Sequence, residues 1–236
     1  MDISVIIPVY NEEASILLTY NSIKDAFSLL DKKHELIFIN DGSLDNSLVL
    51  LKNLQLKDNA VRIISFDRNY GQTSALGAGF KHAQGEIILT IDADSQYNSL
   101  DLLRIIEELK NDGVDVVLGK RVSRTSGLIK NICSQVAVFM RNTVLNESYQ
   151  DSSLAGYRKK CIKDLILYKD SQVFLPTLLK IQGCGKIKEI NVKERPRKYG
   201  QSKYNIKNRL FKGFCGLFVI KWLKDNQLEY KISEIL

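Results

Sequence analysis

Short apolar runs alternate with longer segments of helical spacing along the first half of the chain. An apolar run of about four to eight residues bounded by turn residues is typical of a strand buried on both faces. In the longer segments the apolar residues recur three and four positions apart, as they do on one face of a helix. The pattern predicts strands at 4–9, 35–39, 61–66, 86–91 and 114–118, and helices at 12–29, 45–54, 72–83 and 99–111. Strands that alternate with helices form parallel sheets, so we expect an α/β fold: a mainly parallel central sheet with helices on both faces.

The second half of the chain is less regular. It predicts a short strand-like piece ending at Tyr157, a polar basic loop at 193–204, a strand at 186–192, and helices at 127–145, 160–167, 173–182 and 206–224. No internal repeat, low-complexity tract or dividing linker is visible in the sequence. We therefore expect one main domain over 1–204, followed by a C-terminal segment over 205–236.

The segment after the fourth predicted strand carries the strongest chemical signal. Asp92, Asp94 and Gln96 are spaced two apart, so their side chains would point the same way from an extended chain. A few carboxylate and amide oxygens suit Mg²⁺ or Mn²⁺, which take substrate phosphates as further ligands. An isolated Asp-x-Asp triplet is also common as a solvated turn or helix cap. The metal interpretation is favoured by its context, because ligands of parallel sheets bind outside the carboxyl ends of the strands and polar clusters follow other predicted strands at 8–12, 40–43 and 68–71.

The charge of the chain is unevenly distributed. Residues 1–118 hold 10 Lys and Arg against 18 Asp and Glu, a net charge of −8, whereas residues 119–236 hold 24 against 9, a net charge of +15. The basic half is expected to meet an anionic partner such as phosphates or a membrane surface, or to neutralise the acidic half across an interface. Nucleic acid is not expected as a partner, because no recognisable nucleic-acid-binding module is present.

The cysteines and the N-terminus bear on the compartment. The four cysteines are far apart and include no C-x-x-C pair, so we expect buried apolar residues in a reducing compartment rather than a zinc site or a disulfide framework: Cys133, Cys161, Cys184 and Cys215. No signal peptide is recognised at the N-terminus, and the longest near-apolar run, 213–220, is too short to span a bilayer. The expectation is a cytoplasmic protein that does not cross the membrane.

Five ordered motifs resemble the family 2 glycosyltransferases, which have the GT-A fold. They are Ile-Ile-Pro-Val-Tyr-Asn-Glu at 6–12, Phe-Ile-Asn-Asp-Gly-Ser-Leu-Asp at 38–45, Asn-Tyr-Gly-Gln at 69–72, Ala-Gln-Gly-Glu at 83–86 and Asp-Ala-Asp at 92–94. The resemblance implies a nucleotide-diphosphate sugar donor, a divalent metal ion (Mg²⁺ or Mn²⁺) and an inverting displacement. It also implies a nucleotide-binding half over 1–118 and an acceptor-side half over 119–204.

The resemblance also assigns roles to the residues at the strand ends. Asp94 and Gln96 match the positions nearest the metal, and Asp92 matches a position near both the ribose and the metal. The residues expected to form the nucleoside pocket are Pro8, Tyr10, Glu12, Asn40 and Asp41. The first residue of the acidic pair that reads the base is Asn40 here, so which of the two contacts the base is open.

Three segments of the second half resemble the polyprenyl-phosphate branch of the family, which includes dolichyl-phosphate mannose synthase and undecaprenyl-phosphate sugar transferases. They are 119–121, 151–158 and 197–204. Arg121 and Arg197 would hold donor or acceptor phosphates, since arginine suits bidentate phosphate contacts, with Ser202 and Lys203 as further contacts. The expected reaction is transfer of a hexose to a polyprenyl phosphate, with Asp94, Arg121 and Arg197 in catalytic roles.

The acceptor has an alternative. Residues 159–183 contain only Asp164 and Asp170 as acids, with no acidic pair that would activate a sugar hydroxyl. A lipid phosphate is already ionised at neutral pH and needs no general base, only positioning. Asp151 could still act as a base, in which case the enzyme would extend a cell-surface polysaccharide. A non-catalytic GT-A module that scaffolds a membrane complex is the third possibility.

The C-terminal segment combines aromatic and basic residues. Residues 205–224 contain Phe, Trp and other apolar residues flanked by Lys and Arg, a composition typical of an amphipathic helix at a membrane interface. Packing on the domain, or docking to a membrane partner, fits the pattern about equally well. We therefore expect a cytoplasmic protein that is peripheral at the inner face of the membrane.

Overall fold

The computed structural model describes residues 1–121, 143–147, 149, 152–193 and 206–226, with side chains of the last segment described from 215 onward. The strands are β1 (Ile3–Val9), β2 (His34–Asn40), β3 (Val61–Ser65), β4 (Ile87–Thr90), β5 (Val114–Arg121), β6 (Ala155–Arg158) and β7 (Lys186–Val192). The helices are α1 (Ile16–Phe27), α2 (Ser47–Lys57), α3 (Gln72–His82), α4 (Leu100–Lys110), α5 (Lys159–Ile162), a 3-10 helix (Ser171–Phe174), α6 (Leu175–Ile181) and α7 (Ile206–Asp225).

Within the described residues the strands form one seven-stranded sheet in the order β3-β2-β1-β4-β6-β5-β7. β6 lies antiparallel between β4 and β5, and the other pairings are parallel. The mainly parallel sheet predicted from the alternating pattern is confirmed. The orientation of β6 is a feature that the apolar pattern did not reveal, because a four-residue strand has the same composition in either direction.

Helices cover the sheet on both faces, as predicted. Along β1 successive side chains alternate between two buried clusters, with Val5 and Ile7 in one and Ile6 in the other. The first cluster includes residues of α1, α2 and α4, and the second includes residues of α3 and α6. Because each face of the strand is apolar and covered, β1 reads as a continuous apolar run rather than an alternating one.

Gly79 allows α3 to lie close against β1. A Cβ atom at Gly79 would lie 2.4 Å from Cγ2 of Ile6, which is closer than real contacts permit. This glycine therefore serves helix–sheet packing in a buried part of the molecule.

Two helices differ most from the predicted bounds. α1 begins at Ile16 rather than at 12, and α5 ends at Ile162 although helical spacing predicted a helix to 167. The backbone N–H and C=O of Ile166 bond to the side-chain amide of Gln182, at 2.8 and 3.1 Å, instead of continuing the helix. A long-range side-chain contact of this kind leaves no signal in local spacing. Of the helix predicted at 127–145, residues 143–145 are described and are helical.

A buried polar cluster ties the amino ends of three strands together. The Glu35 carboxylate, 1% exposed, accepts hydrogen bonds from the Ser4 hydroxyl at 2.5 Å and the Gln84 N–H at 2.7 Å, and pairs with Arg62. Burial alone would raise the pKa of Glu35, but these hydrogen bonds outweigh it and hold the pKa below its usual range. Gln84 belongs to the 83–86 motif. This motif therefore lies at the amino edge of the sheet, opposite the carboxyl edge where Asp41 and Asp92 lie.

The expectation for the cysteines was wrong for one pair. Cys161 in α5 and Cys184 before β7 form a disulfide, with Cα atoms 5.1 Å apart. The two are 23 residues apart in sequence and meet because β6 and β7 both lie beside β5, so spacing alone did not reveal the pair. Cys215 is exposed rather than buried, and Cys133 lies outside the described residues.

The C-terminal helix α7 packs on the rest of the chain. Leu217 and Ile220 join a buried cluster with Leu145, Phe174 and Leu178. The ammonium group of Lys224 lies 3.2 Å from the buried carboxylate of Glu147, which also accepts a 2.6 Å hydrogen bond from the Thr177 hydroxyl. The outer face is apolar as well, with exposed side chains at Phe218, Val219 and Trp222. Among the described helices none is both long enough and apolar enough to cross a bilayer.

Candidate functional site

The polar clusters predicted at the strand ends lie along one edge of the sheet. Val9 at the end of β1 is in register with Asn40 at the end of β2, and Asn40 is in register with Ser65 at the end of β3. β4 runs parallel to β1 and ends at Thr90, just before Asp92. The loops that follow these four strands therefore meet at the carboxyl edge, which is where open α/β sheets bind ligands.

The turn after β4 brings Asp92 and Asp94 to this edge. Asp94 is 7% exposed, whereas Asp92 is partly buried. The Gln72 side-chain amide, at the start of α3, donates a 3.0 Å hydrogen bond to Oδ1 of Asp92. The backbone N–H of Gln96 donates a 3.1 Å hydrogen bond to Oδ1 of Asp94, which closes an Asx-type turn.

The donor set of this turn fits a hard divalent cation. Within the described part of the chain, three or more His, Cys, Asp or Glu side chains do not cluster as a metal cage would require. A pair of carboxylates is, however, what Mg²⁺ or Mn²⁺ uses when substrate phosphates and water complete its coordination. The turn therefore suits a cation that binds together with a diphosphate.

Thr19 on α1 supports the turn after β4, a role that the sequence pattern did not reveal. Its buried hydroxyl donates to the carbonyl of Ala93 at 2.9 Å and lies 2.8 Å from the hydroxyl of Ser95. Ser95 has a φ of 57°, a left-handed conformation that costs energy for a residue with a side chain. The contacts from α1 hold the turn in this conformation.

Asn40 is buried and bonded within the protein. Its side-chain amide donates to the Ser65 hydroxyl at 2.9 Å, and its Oδ1 accepts the N–H of Ser43 at 3.2 Å. Only 2% of its surface is exposed. Asn40 therefore links the ends of β2 and β3 to the turn that follows β2.

Asp41 holds the loop after β3. Its carboxylate, 3% exposed, accepts the N–H groups of Tyr70 at 2.7 Å and Gly71 at 2.9 Å, and the Asn69 side-chain amide at 2.9 Å. Burial raises the pKa of Asp41, and the two backbone N–H groups offset only part of this. Gly42, with φ of 64°, lets the same loop approach, since a Cβ there would lie 2.2 Å from the carbonyl carbon of Arg68.

The loop after β1 contains the other three predicted nucleoside-pocket residues. Pro8, Tyr10 and Glu12 are each partly buried. Between them Asn11 has φ of 52° and joins the next loop, donating its N–H to the Ser43 hydroxyl at 3.0 Å. The Glu12 carboxylate accepts a 2.8 Å hydrogen bond from Ser15. The Asn11–Ser43 bond joins the loop after β1 to the loop after β2, whereas the Glu12–Ser15 bond lies within the loop after β1.

Arg121, at the carboxyl end of β5, is anchored by a residue that sequence reasoning missed. Its Nε donates a 2.7 Å hydrogen bond to the hydroxyl of Tyr97, and its guanidinium carbon lies 5.7 Å from the centre of that ring. The Ser153 hydroxyl also bonds to Tyr97, at 3.3 Å. The other residues predicted to bind phosphate or to act as a general base lie outside the described residues. They are Arg197, Ser202 and Lys203 for phosphate, and Asp151 as the general base.

Solved structures share this fold. Glucosyl-3-phosphoglycerate synthase from Mycobacterium tuberculosis in complex with UDP superimposes with a TM-score of 0.72 at 17% identity, over 94% of this chain and 80% of that one. The same enzyme in complex with Mn²⁺ and UDP-glucose gives a TM-score of 0.72 at 18% identity, over 94% and 79%. The likeness shows the fold, which is the GT-A fold.

The family follows from sequence comparison. The chain belongs to glycosyl transferase family 2, whose model matches residues 4–166. It is similar to the undecaprenyl-phosphate 4-deoxy-4-formamido-L-arabinose transferases of Proteus mirabilis, with 34% identity over 206 residues, and of Photorhabdus laumondii, with 32%. Each match covers 86% of this chain and 63% of the relative, so the chain spans less than two thirds of the relatives' length.

Proposed function

We propose that the chain catalyses the metal-dependent, inverting transfer of a sugar from a nucleotide diphosphate to a polyprenyl phosphate. The observation that carries the proposal is the carboxylate pair Asp92 and Asp94 at the same edge as the loops after β1, β2 and β3. The names of the relatives support the lipid-phosphate acceptor, since they specify undecaprenyl phosphate. They also specify an arabinose-derived sugar, so the transferred group need not be a hexose.

Asp92, Asp94 and Gln96 are proposed to hold Mg²⁺ or Mn²⁺ with the donor diphosphate. A bound cation would offset the negative charge that develops on the leaving nucleoside diphosphate. The Gln72 hydrogen bond to Asp92 and the Thr19 hydrogen bond to the Ala93 carbonyl orient this turn before substrate binds. The complexes of the structural relative with Mn²⁺ and UDP-glucose support a divalent ion.

The proposed nucleoside pocket is formed by Pro8, Tyr10, Glu12, Asn40 and Asp41. Because Asn40 and Asp41 form hydrogen bonds within the protein, we propose that they also shape the pocket, in addition to any contact with the base. They hold the loops after β2 and β3, and with them the walls of the pocket.

On the acceptor side, Arg121 is proposed to bind phosphate together with Arg197, Ser202 and Lys203. An ionised phosphate oxygen would attack the anomeric carbon directly. The enzyme would then need only to position the phosphate, and no general base would have to remove a proton. Asp151 would be needed as a base only if the acceptor were a sugar hydroxyl.

The outer face of α7 is proposed to lie on the inner surface of the membrane. Phe218 and Trp222 are 55% and 64% exposed, and Lys221 is beside them on the same helix. Aromatic rings and lysines on one face favour the headgroup region of a bilayer that contains anionic lipids. The protein would then be peripheral, with its acceptor in the adjoining leaflet.

Radiolabel transfer tests the proposal. The chain is incubated with a panel of UDP- and GDP-linked hexoses and pentoses, Mn²⁺ or Mg²⁺, and either a short-chain polyprenyl phosphate or an oligosaccharide. Labelled lipid that is lost in the Asp94→Ala variant and on EDTA treatment is the expected result. Label only in the oligosaccharide would instead support the saccharide acceptor. If the chain neither transfers label nor binds a donor in the presence of metal, the proposal is wrong and the chain is a non-catalytic GT-A module.

A further inference from the structure

The hydroxyl of Tyr97 joins three segments of the chain at the carboxyl edge. Tyr97 directly follows the proposed metal-binding turn, residues 92–96, and is 4% exposed. It accepts the 2.7 Å hydrogen bond from Nε of Arg121, at the end of β5, and the 3.3 Å hydrogen bond from Ser153, just before β6. One buried phenol oxygen therefore lies where the turn after β4, the end of β5 and the start of β6 come together.

A hydrogen bond through Nε fixes the plane of the Arg121 guanidinium. The orientation of this planar donor group decides whether it can meet a phosphate with two parallel hydrogen bonds. An arginine side chain also loses rotamer freedom when it is fixed, and this cost is smaller on binding if a neighbour already orders the side chain. Tyr97 comes three residues after Asp94 in the chain, so its bond to Arg121 further ties that arginine to the turn that would hold the donor diphosphate.

We propose that Tyr97 is a positioning residue that orients Arg121 toward the acceptor phosphate relative to the metal-binding turn. The inference rests on the proposed function and deepens it, because it names the group through which the donor and acceptor sides are aligned. Tyr97 acts through Arg121 rather than on the reacting atoms. Phenylalanine would keep the ring and its packing and would lose only the oxygen, which accepts hydrogen bonds from Nε of Arg121 and from the Ser153 hydroxyl.

The first measurement does not depend on activity. In protein labelled with ¹⁵N at arginine Nε, the Arg121 signal is assigned by its loss in Arg121→Lys. We expect a protected, slowly exchanging Nε–H in the wild-type chain and at least a tenfold faster exchange, on the order of a lost charged hydrogen bond, in Tyr97→Phe. Unchanged exchange in Tyr97→Phe would overturn the proposal, whatever the enzyme transfers.

A kinetic cycle then tests the functional consequence. Tyr97→Phe should lower kcat/KM for short-chain polyprenyl phosphate by about tenfold and change the donor KM by less than about twofold. In an Arg121→Gln background the same substitution should have no further effect on kcat/KM, because the arginine through which Tyr97 acts is absent. Independent, multiplying effects of the two substitutions would contradict positioning through Arg121.

The matched control is Tyr20→Phe. Tyr20 donates its hydroxyl to Asp58 at 2.9 Å, near the start of β3 and away from the carboxyl edge. This variant should lose as much thermal stability as Tyr97→Phe but keep the wild-type kcat/KM for the acceptor. An equal loss of kcat/KM in both variants would show that Tyr97 has a merely structural role.

If the wild-type chain transfers nothing to lipid phosphate, the proposed function fails, and the exchange measurement still decides whether Tyr97 orders Arg121.

Discussion

The side-chain amide of Gln72 donates a 3.0 Å hydrogen bond to the Oδ1 atom of Asp92, and so connects the first turn of α3 to the turn after β4. The two residues are twenty positions apart and belong to separate sequence motifs. Their contact joins the two motifs in space: the amino end of α3 orients a carboxylate that follows β4. Hydrogen bonds to a ligating carboxylate commonly tune its metal affinity.

Replacing Gln72 by Met should weaken metal binding without unfolding the protein. Methionine keeps the length of the side chain but cannot donate to Asp92, so the carboxylate loses its fixed orientation. We expect the affinity for Mn²⁺ in the presence of UDP to fall by about tenfold, measured by calorimetry. Gln55→Met, which removes a long 3.5 Å contact to the Val61 carbonyl on the far side of the sheet, is the control and should bind Mn²⁺ normally. Equal affinities in the two variants would contradict the role of Gln72.

Replacing Asp41 by Asn should loosen the loop at 68–71. Both carboxylate oxygens of Asp41 accept hydrogen bonds, and an amide offers one acceptor and places an NH₂ group against a donor. The expected cost is about 1–3 kcal/mol of unfolding free energy, with faster amide exchange at Tyr70 and Gly71. Urea unfolding and hydrogen exchange provide the measurement. Asp67→Asn, at an exposed position of the same loop, should change neither, and a comparable loss there would point to a general charge effect.

The stability of the chain should fall at acidic pH partly through Glu35. Its folded-state pKa is lowered, so its stabilising contribution is present above the unfolded pKa of about 4.3 and is lost as pH falls through the folded value. The pH dependence of unfolding free energy between about pH 6 and 3 should therefore be shallower in Glu35→Gln than in wild type. Glu107→Gln, which breaks an exposed ion pair with Lys110, should retain the wild-type slope. Parallel curves for wild type and Glu35→Gln would refute the assignment.

The Cys161–Cys184 disulfide should be detectable in protein purified without reductant. Non-reducing peptide mapping should recover the two cysteines in one linked peptide, which dithiothreitol separates. The paired substitution Cys161→Ser and Cys184→Ser should cost about 3 kcal/mol under oxidising conditions, because the unfolded chain regains the freedom of a 23-residue loop. Cys215→Ser, at an exposed thiol, should leave stability unchanged. If both cysteines react with a thiol reagent in the folded, unreduced protein, the bond is absent in solution.

The local sequence pattern predicted most of the architecture, because the parallel strands are apolar on both faces and are separated by helices with turn residues at their ends. β7, for example, spans the seven residues of the predicted strand at 186–192. The helix predicted at 160–167 failed beyond Ile162, where the side chain of Gln182 takes the backbone groups of Ile166. Such a contact joins residues distant in sequence and is not encoded in the apolar spacing of either segment.

The sequence by itself determined the sheet-forming strands, the residue types at their carboxyl ends and the family to which the chain belongs. These properties are local, since they depend on apolar runs and on short motifs read in order. Only the tertiary structure decided that Tyr97 bonds Arg121, that Gln72 bonds Asp92 and that Asn40 and Asp41 are buried hubs of adjoining loops. The reason is geometric: parallel strands bring loops from distant parts of the chain to one edge, and the partners of a polar group there are set by strand order rather than by sequence neighbours.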